Sequence, residues 1–263
     1  GLKPDSIDIV YYHSIFNRIT EPDRSSIKKI YEERGKLLQQ LRPGGKELLK
    51  YKYQWYMQDY MACVASVDEN VGRILDYMDN HNLTKNTLVI YTGDQGMYLG
   101  ENGWFDKRWM YDVSMQAPML MRWPGHIKPG SVNTNMTQAI DYAPTMLDAA
   151  RIEIPDFMQG MSLVPTITGK QKILPRHNLY YHFYEYKADH TVLQHLGVRG
   201  ERYKLIYFYP VDEWELYDLK IDPWEQKNLI KSPVYQNIIA QMKDELLKLR
   251  NKYDDHEKAG ELN

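Results

Sequence analysis

Asn86-Thr-Leu-Val-Ile-Tyr-Thr-Gly-Asp94-Gln95-Gly96, continued by Leu99-Gly-Glu-Asn-Gly-Trp-Phe-Asp106-Lys107-Arg108, joins an apolar run to a cluster of polar and charged residues. Leu88 to Tyr91 is a short apolar, β-branched run with the length and composition of a buried strand. The run stops at Gly93, and a carboxylate, a carboxamide and a second glycine follow. In open α/β sheets ligands collect beyond the carboxyl ends of the strands. Asp94 and Gln95 then offer two adjacent oxygens, a donor pair suited to a hard divalent cation such as Ca²⁺ or Mg²⁺. Lys107 arrives on a glycine-rich loop as a mobile point charge suited to an oxyanion. A metal and a lysine together point to an anionic ester. The same residues also fit a plain Asp-Gln-Gly turn closing a strand, with Lys107 solvated.

Upstream of this stretch, Asp23 to Leu41 reads as a charged helix ended by Pro43-Gly44-Gly45. From Lys46 to about Met78 apolar residues recur at helical spacing through Tyr53, Tyr56, Tyr60, Val64, Val71 and Ile74, a stripe expected to be core. Residues 5 to 12 have the pattern of an extended segment. Downstream, a second strand is expected at Met119 to Trp123. A helix is expected at Asp141 to Ala150, with Pro144 in its first turn where the missing N–H costs little, and a short helical piece at Ser162 to Thr168. The texture then becomes aromatic and β-prone. Asn178 to Tyr186, Gly197 to Arg199, Tyr203 to Tyr209 and Glu213 to Leu219 predict a small antiparallel sheet with a turn at Gly200-Glu201. Val234 to Tyr253 closes as an amphipathic helix.

The chain has 263 residues and a net charge of −2, enough for one large domain or a domain with a subdomain and too balanced to indicate a nucleic-acid partner. No apolar run approaches the roughly 20 residues of a membrane-spanning helix. The one cysteine, Cys63, excludes an internal disulfide and reads as a small core residue.

Several motifs, in order, resemble the sulfatase family of the alkaline-phosphatase-like superfamily: Asp94-Gln95-Gly96, Leu99-Gly100-Glu101, Asp106-Lys107-Arg108, Arg122-Trp123-Pro124-Gly125, Asp141-Tyr142-Ala143-Pro144-Thr145, Gln159-Gly160-Met161-Ser162-Leu163, Gly197-Val198-Arg199 and Trp214-Glu215-Leu216-Tyr217-Asp218-Leu219, then Asp222-Pro223 and Glu225. The resemblance implies an α/β fold. Residues 1–172 would be the C-terminal part of an alkaline-phosphatase-like mixed or parallel sheet flanked by helices. Residues 173–263 would be an antiparallel-sheet subdomain with a closing helix.

By the same resemblance Asp94 and Gln95 are ligands of one Ca²⁺ ion and Lys107 is the catalytic contact to sulfate. Asp106, Arg108 and His195 face the substrate, a sulfated carbohydrate such as a glycosaminoglycan sugar. Asp106 and Arg108 read equally well as an ion pair stiffening the loop, and His195 as a surface residue at a strand end. Asn102 stands where the family commonly has histidine. Glu101 is expected to anchor its loop by hydrogen bonds, and Asp222-Pro223-x-Glu225 to shape a turn. A periplasmic or extracellular setting also follows from the resemblance.

The family's nucleophile is a formylglycine made from a Cys or Ser in a Cys/Ser-x-Pro/Ala-x-Arg setting, and this sequence has none. It also lacks the family's N-terminal aspartate pair and His-x-Pro motif. The formylglycine and the remaining calcium ligands are therefore expected in a missing N-terminal half, which becomes a partner of this chain. A phosphoester hydrolase of the same superfamily and a non-catalytic glycan-binding fragment are the competing readings. A fragment of this kind should expose an unpaired sheet edge and an apolar patch. The purified chain alone is expected to release no sulfate from a sulfate ester in a sulfate-release assay.

Overall fold

The computed structural model describes residues 18–185 and 192–256; the extended segment expected at 5–12 lies outside them. The chain divides into two compact units, Gly1–Gly72 and Arg73–Asn263. The division falls inside a helix, not at the expected 172/173 boundary.

In the first unit α1 (Asp23–Leu41) stops as expected before Pro43: Arg42 turns left-handed at φ 45° and its N–H donates to the Leu38 carbonyl. The chain reverses into α2 (Gly45–Asn80). Asp59 ties the two helices, accepting both guanidinium nitrogens of Arg34 at 2.7 and 2.8 Å and the Tyr31 hydroxyl at 3.0 Å. The Arg34 guanidinium also lies 5.5 Å from the centre of the Trp55 ring. The apolar stripe of α2 has helical spacing but is not core, since Met78 is the one buried residue of that helix. Leu49, Tyr53, Met61, Val64 and Val67 are exposed, and so is Cys63. The periodicity is sound, but along that face Tyr56, Tyr60 and Val71 are half-buried and none is fully buried.

The second unit begins with the end of α2 and β1 (Val89–Thr92), the strand expected before Asp94. β1 pairs antiparallel with β4 (Met119–Arg122), with Tyr91 opposite Leu120. Both face solvent, Leu120 at 67% exposure, which is the apolar patch expected on this sheet. No parallel strand pair occurs among the described residues, so the mixed α/β class holds without its parallel part. Between β1 and β4 lie a short hairpin, β2 (Tyr98–Leu99) and β3 (Phe105–Asp106), and one turn of helix, α3 (Asp112–Met115).

The motifs at 141–145 and 159–163 interlock. The buried Asp141 carboxylate accepts the N–H groups of Gln138 (2.8 Å) and Met161 (2.9 Å) and is gripped by Arg176 at 2.5 and 2.7 Å. Thr145, on α4 (Tyr142–Ala149), donates to the Asp141 carbonyl and accepts the Leu163 N–H at 2.9 Å, just before α5 (Val164–Ile167). Gly160 has to be glycine, because a Cβ there would lie 1.9 Å from the Ile140 carbonyl oxygen.

Strands β5 (Asn178–Phe183), β6 (His195–Gly200), β7 (Tyr203–Phe208) and β8 (Glu213–Asp218) form the expected antiparallel sheet, in that order. The β6–β7 turn is Glu201-Arg202, one residue later than the sequence pattern puts it. The period-two alternation of a strand splits the sheet's residues between two buried faces. Leu196, Val198, Leu205, Tyr207 and Leu216 pack with Ile239, Met242, Leu246 and Leu249 of α6 (Gln236–Lys252). On the opposite face Ile206, Phe208 and Tyr217 pack with Met110. The Asp141–Arg176 and Met110–sheet contacts cross position 172, which is why both sides of it fall in one unit. Replacing Arg176 with Leu leaves Asp141 buried without its cation and is expected to cost about 3–5 kcal/mol in urea unfolding.

Candidate active site

Asp94 and Gln95 lie on the bend directly after β1, the carboxylate exposed and the carboxamide half-buried. Neither side chain has a hydrogen-bond or ion-pair partner among the described residues. Gly96 locks the bend: its N–H donates to the Ser114 carbonyl at 2.8 Å, and a Cβ there would lie 2.2 Å from the Val113 carbonyl oxygen.

The hairpin then brings in the lysine loop. Tyr98 pairs with Asp106. The Glu101 carboxylate accepts the Leu99 N–H at 2.6 Å, the anchoring role its position implies. Asn102, at φ 56°, accepts a hydrogen bond from Gln226 at 2.5 Å. Asp106 (φ 79°) and Arg108 (φ 99°) both take positive φ, a costly backbone for residues with side chains and one that persists only where surrounding structure enforces it. Their side chains form the internal ion pair that was the alternative reading of these two residues. Lys107 stands between them, a third exposed, with Nζ 4.0 Å from Asp106 Oδ1. Ser114 joins the two halves of the site, since its carbonyl holds Gly96 and its hydroxyl accepts the Arg108 N–H at 3.0 Å.

His195 differs from its expected place facing substrate. Its ring is fully buried between Trp109, Tyr181, Phe183 and Phe208, with centroids 5.1 to 5.6 Å away. Nδ1–H donates to the Leu193 carbonyl at 2.7 Å, which leaves Nε2 to accept the Met110 N–H at 3.2 Å. Burial pushes the imidazole down to about 4. The ring has no nitrogen left for a ligand.

A buried charge cluster seats the far end of the loop. Lys204, fully buried on β7, places Nζ 2.5 Å from Asp112 and 2.7 Å from Glu225, and Arg199 reaches Asp112 at 3.0 Å. Glu225 also accepts the Asp112 N–H at 2.6 Å. Burial raises the Glu225 carboxyl above its usual range. Burial works the same way on Asp112, but Lys204 and Arg199 prevail and hold it low. Asp222-Pro223-x-Glu225 thus does more than shape a turn. Sequence reasoning missed Ser114, Tyr181 and Lys204. Of these only Lys204 had a legible signal, a single cation inside an apolar strand.

The sulfatase family model matches residues 15–152, and the model described as "N-sulphoglucosamine sulphohydrolase, C-terminal" matches residues 100–252. The chain belongs to the sulfatase family. This sulfatase chain is 40% identical over 251 residues to an N-acetylglucosamine-6-O-sulfatase of Bacteroides thetaiotaomicron, covering 93% of this chain and 44% of that relative. A solved structure holding its substrate, D-glucosamine-2-N,6-O-disulfate, superposes with a TM-score of 0.88 at 38% identity, over 95% of this chain and 51% of the other. A phosphonate monoester hydrolase from Silicibacter pomeroyi superposes with a TM-score of 0.64 at 26% identity, over 73% of this chain and 40% of the other. The chain therefore spans about half the length, or less, of these relatives. No helix among the described residues is long and apolar enough to cross a membrane.

The His195 environment has a pH signature. With a native value of about 4 against an unfolded value near 6.5, the unfolded state binds the extra proton between those limits. Stability is full above about pH 6.5 and falls as pH drops toward 4, by about 3 kcal/mol from this group. His195→Gln is expected to remove that component from the difference between its pH–stability curve and the parent's, measured by urea unfolding.

Proposed function

We propose that this chain is the C-terminal part of a sulfuric ester hydrolase that removes sulfate from a carbohydrate, with a 6-O-sulfated N-acetylglucosamine as the substrate class favoured by its 40% identical relative. The observation that carries this reading is the pair of unpartnered oxygens, Asp94 and Gln95, joined through Ser114 to a strained loop presenting Lys107. The donor chemistry fits a calcium ion as far as it goes. Two hard oxygens are part of the 6–8 such an ion takes, and no group of three or more acidic, histidine or cysteine side chains among the described residues completes the set. When bound, such an ion polarises a sulfate oxygen and stabilises negative charge.

The residues of this chain have separable tasks in that reading. Asp94 and Gln95 hold the cation from one side. Lys107 places its ammonium on the sulfate and stabilises charge as the alcohol departs. Asp106 and Arg108, neutralised by each other, turn toward the sugar hydroxyls when substrate enters. The nucleophile, a formylglycine, comes from the N-terminal half of the catalytic domain. That half also covers the bare face of the β1–β4 pair at Tyr91 and Leu120.

The complete enzyme carrying this chain is expected to release sulfate from 6-O-sulfated N-acetylglucosamine in a Ca²⁺-dependent manner. Lys107→Ala should lower kcat by about 100-fold or more, and Asp94→Asn should raise the Ca²⁺ concentration required. Faster hydrolysis of a phosphonate monoester than of the sulfate ester, or an unchanged kcat in Lys107→Ala, overturns the reading.

A further inference from the structure

Lys107 can act on a sulfate only if its backbone is held, and that backbone is held against its own preferences. Both neighbours sit at positive φ, 79° at Asp106 and 99° at Arg108, with no glycine to make this easy. The ion pair between their side chains lies within the loop and does not by itself tie the loop to the rest of the fold. The fixing contacts are made to the main chain. The Arg108 N–H donates to the Ser114 hydroxyl at 3.0 Å, and the Arg108 carbonyl accepts the Tyr181 hydroxyl at 2.9 Å. Two residues on, the Met110 N–H donates to His195 Nε2 at 3.2 Å.

Two of these three contacts, those from Tyr181 and His195, come from the C-terminal sheet, and the third comes from Ser114 on α3. Tyr181 on β5 is directly opposite Gly197 on β6, and His195 precedes that glycine by two residues, so all three share one face of the sheet. Gly197 is the seat. A Cβ there would lie 2.4 Å from the Leu205 carbonyl oxygen of the neighbouring strand, so the strand pairing requires glycine, and the Met110 side chain packs over the gap, its sulfur 2.5 Å from where that Cβ would be. Both hydrogen-bonding side chains are kept in the required form. Opposite a carbonyl oxygen the Tyr181 hydroxyl can only donate, and the His195 tautomer is set by the Leu193 carbonyl.

We propose that Ser114, Tyr181 and His195 are positioning residues for Lys107: α3 through Ser114, and the C-terminal sheet through Tyr181 and His195, clamp the main chain of the lysine loop in its strained form and thereby aim the ammonium group. This rests on the reading of Lys107 as the sulfate contact. It gives the C-terminal sheet a part in turnover without touching substrate. It also accounts for a histidine at the start of β6 that binds no ligand.

The test is a double-mutant cycle in the complete enzyme carrying this chain, with kcat and KM measured on a sulfate ester. Tyr181→Phe removes one oxygen, keeps the ring, and leaves the Arg108 carbonyl unpaired. It is expected to lower kcat about tenfold with KM changed less than twofold, and to have no further effect on kcat in a Lys107→Ala background. Ser114→Ala is the second variant, with the same expectation, and Ser114→Thr should restore kcat by returning the hydroxyl. An unchanged kcat in both Tyr181→Phe and Ser114→Ala overturns the proposal. So does a loss of equal size with and without Lys107, which is the mark of general destabilisation. Retained activity in Lys107→Ala alone overturns the underlying reading of the site instead, so the two failures are told apart.

Discussion

A buried ammonium between two carboxylates holds the second unit together. Lys204, fully buried near the start of the interior strand β7, reaches Asp112 and Glu225, which belong to two segments that share no strand with it. Burying such a charge is costly unless it is paired and hydrogen-bonded. Here the pairing is possible only when the loop after Arg108 and the turn after Asp222-Pro223 lie on the sheet together. Displacing Lys204 would leave the buried Glu225 without a cation, so the two segments and the sheet are favoured in one mutual placement. Arg199 and the Asp112 N–H complete the cluster.

From that anchor the architecture follows by alternation. One face of the sheet takes Leu196, Val198, Leu205 and Leu216 onto the closing helix, and the other takes Ile206, Phe208 and Tyr217 onto the segment around Met110. A sheet covered on both faces is rigid in a way a solvated one is not, because side chains in a close-packed interior have little room to shift. The lysine loop is built on this rigid face. Around the candidate site, exposure of the side chains and restraint of the main chain go together. Asp94, Gln95 and Lys107 have solvent-reaching side chains on a main chain that Gly96, Ser114, Tyr181 and His195 restrain.

The first unit and the β1–β4 pair show the opposite condition. Their apolar residues keep the right period and remain exposed, Leu49 and Met61 on α2 and Leu120 on β4 among them. Local pattern was enough to form these elements and insufficient to bury them. A two-stranded sheet with a bare apolar face is marginal by itself, and a long helix with one buried residue gains little from packing. The family's relatives are about twice as long as this chain, which fits a layer supplied by the rest of the catalytic domain.

Much was legible in the linear sequence. Both long helices, the strand before Asp94, the four C-terminal strands and the closing helix lie within a few residues of where period and punctuation put them, because each depends on neighbours along the chain. The family resemblance carried by the motifs around Asp94 and Lys107 was legible too, since it rests on residue identity and order alone. What the sequence could not express was mutual placement. Nothing local says that His195 turns inward between four aromatic rings, that Ser114 bridges the two halves of the site, or that Tyr181 holds the carbonyl of a residue 73 positions away. Those outcomes were decided by tertiary structure, because a hydrogen bond between distant segments exists only once the sheet between them has formed.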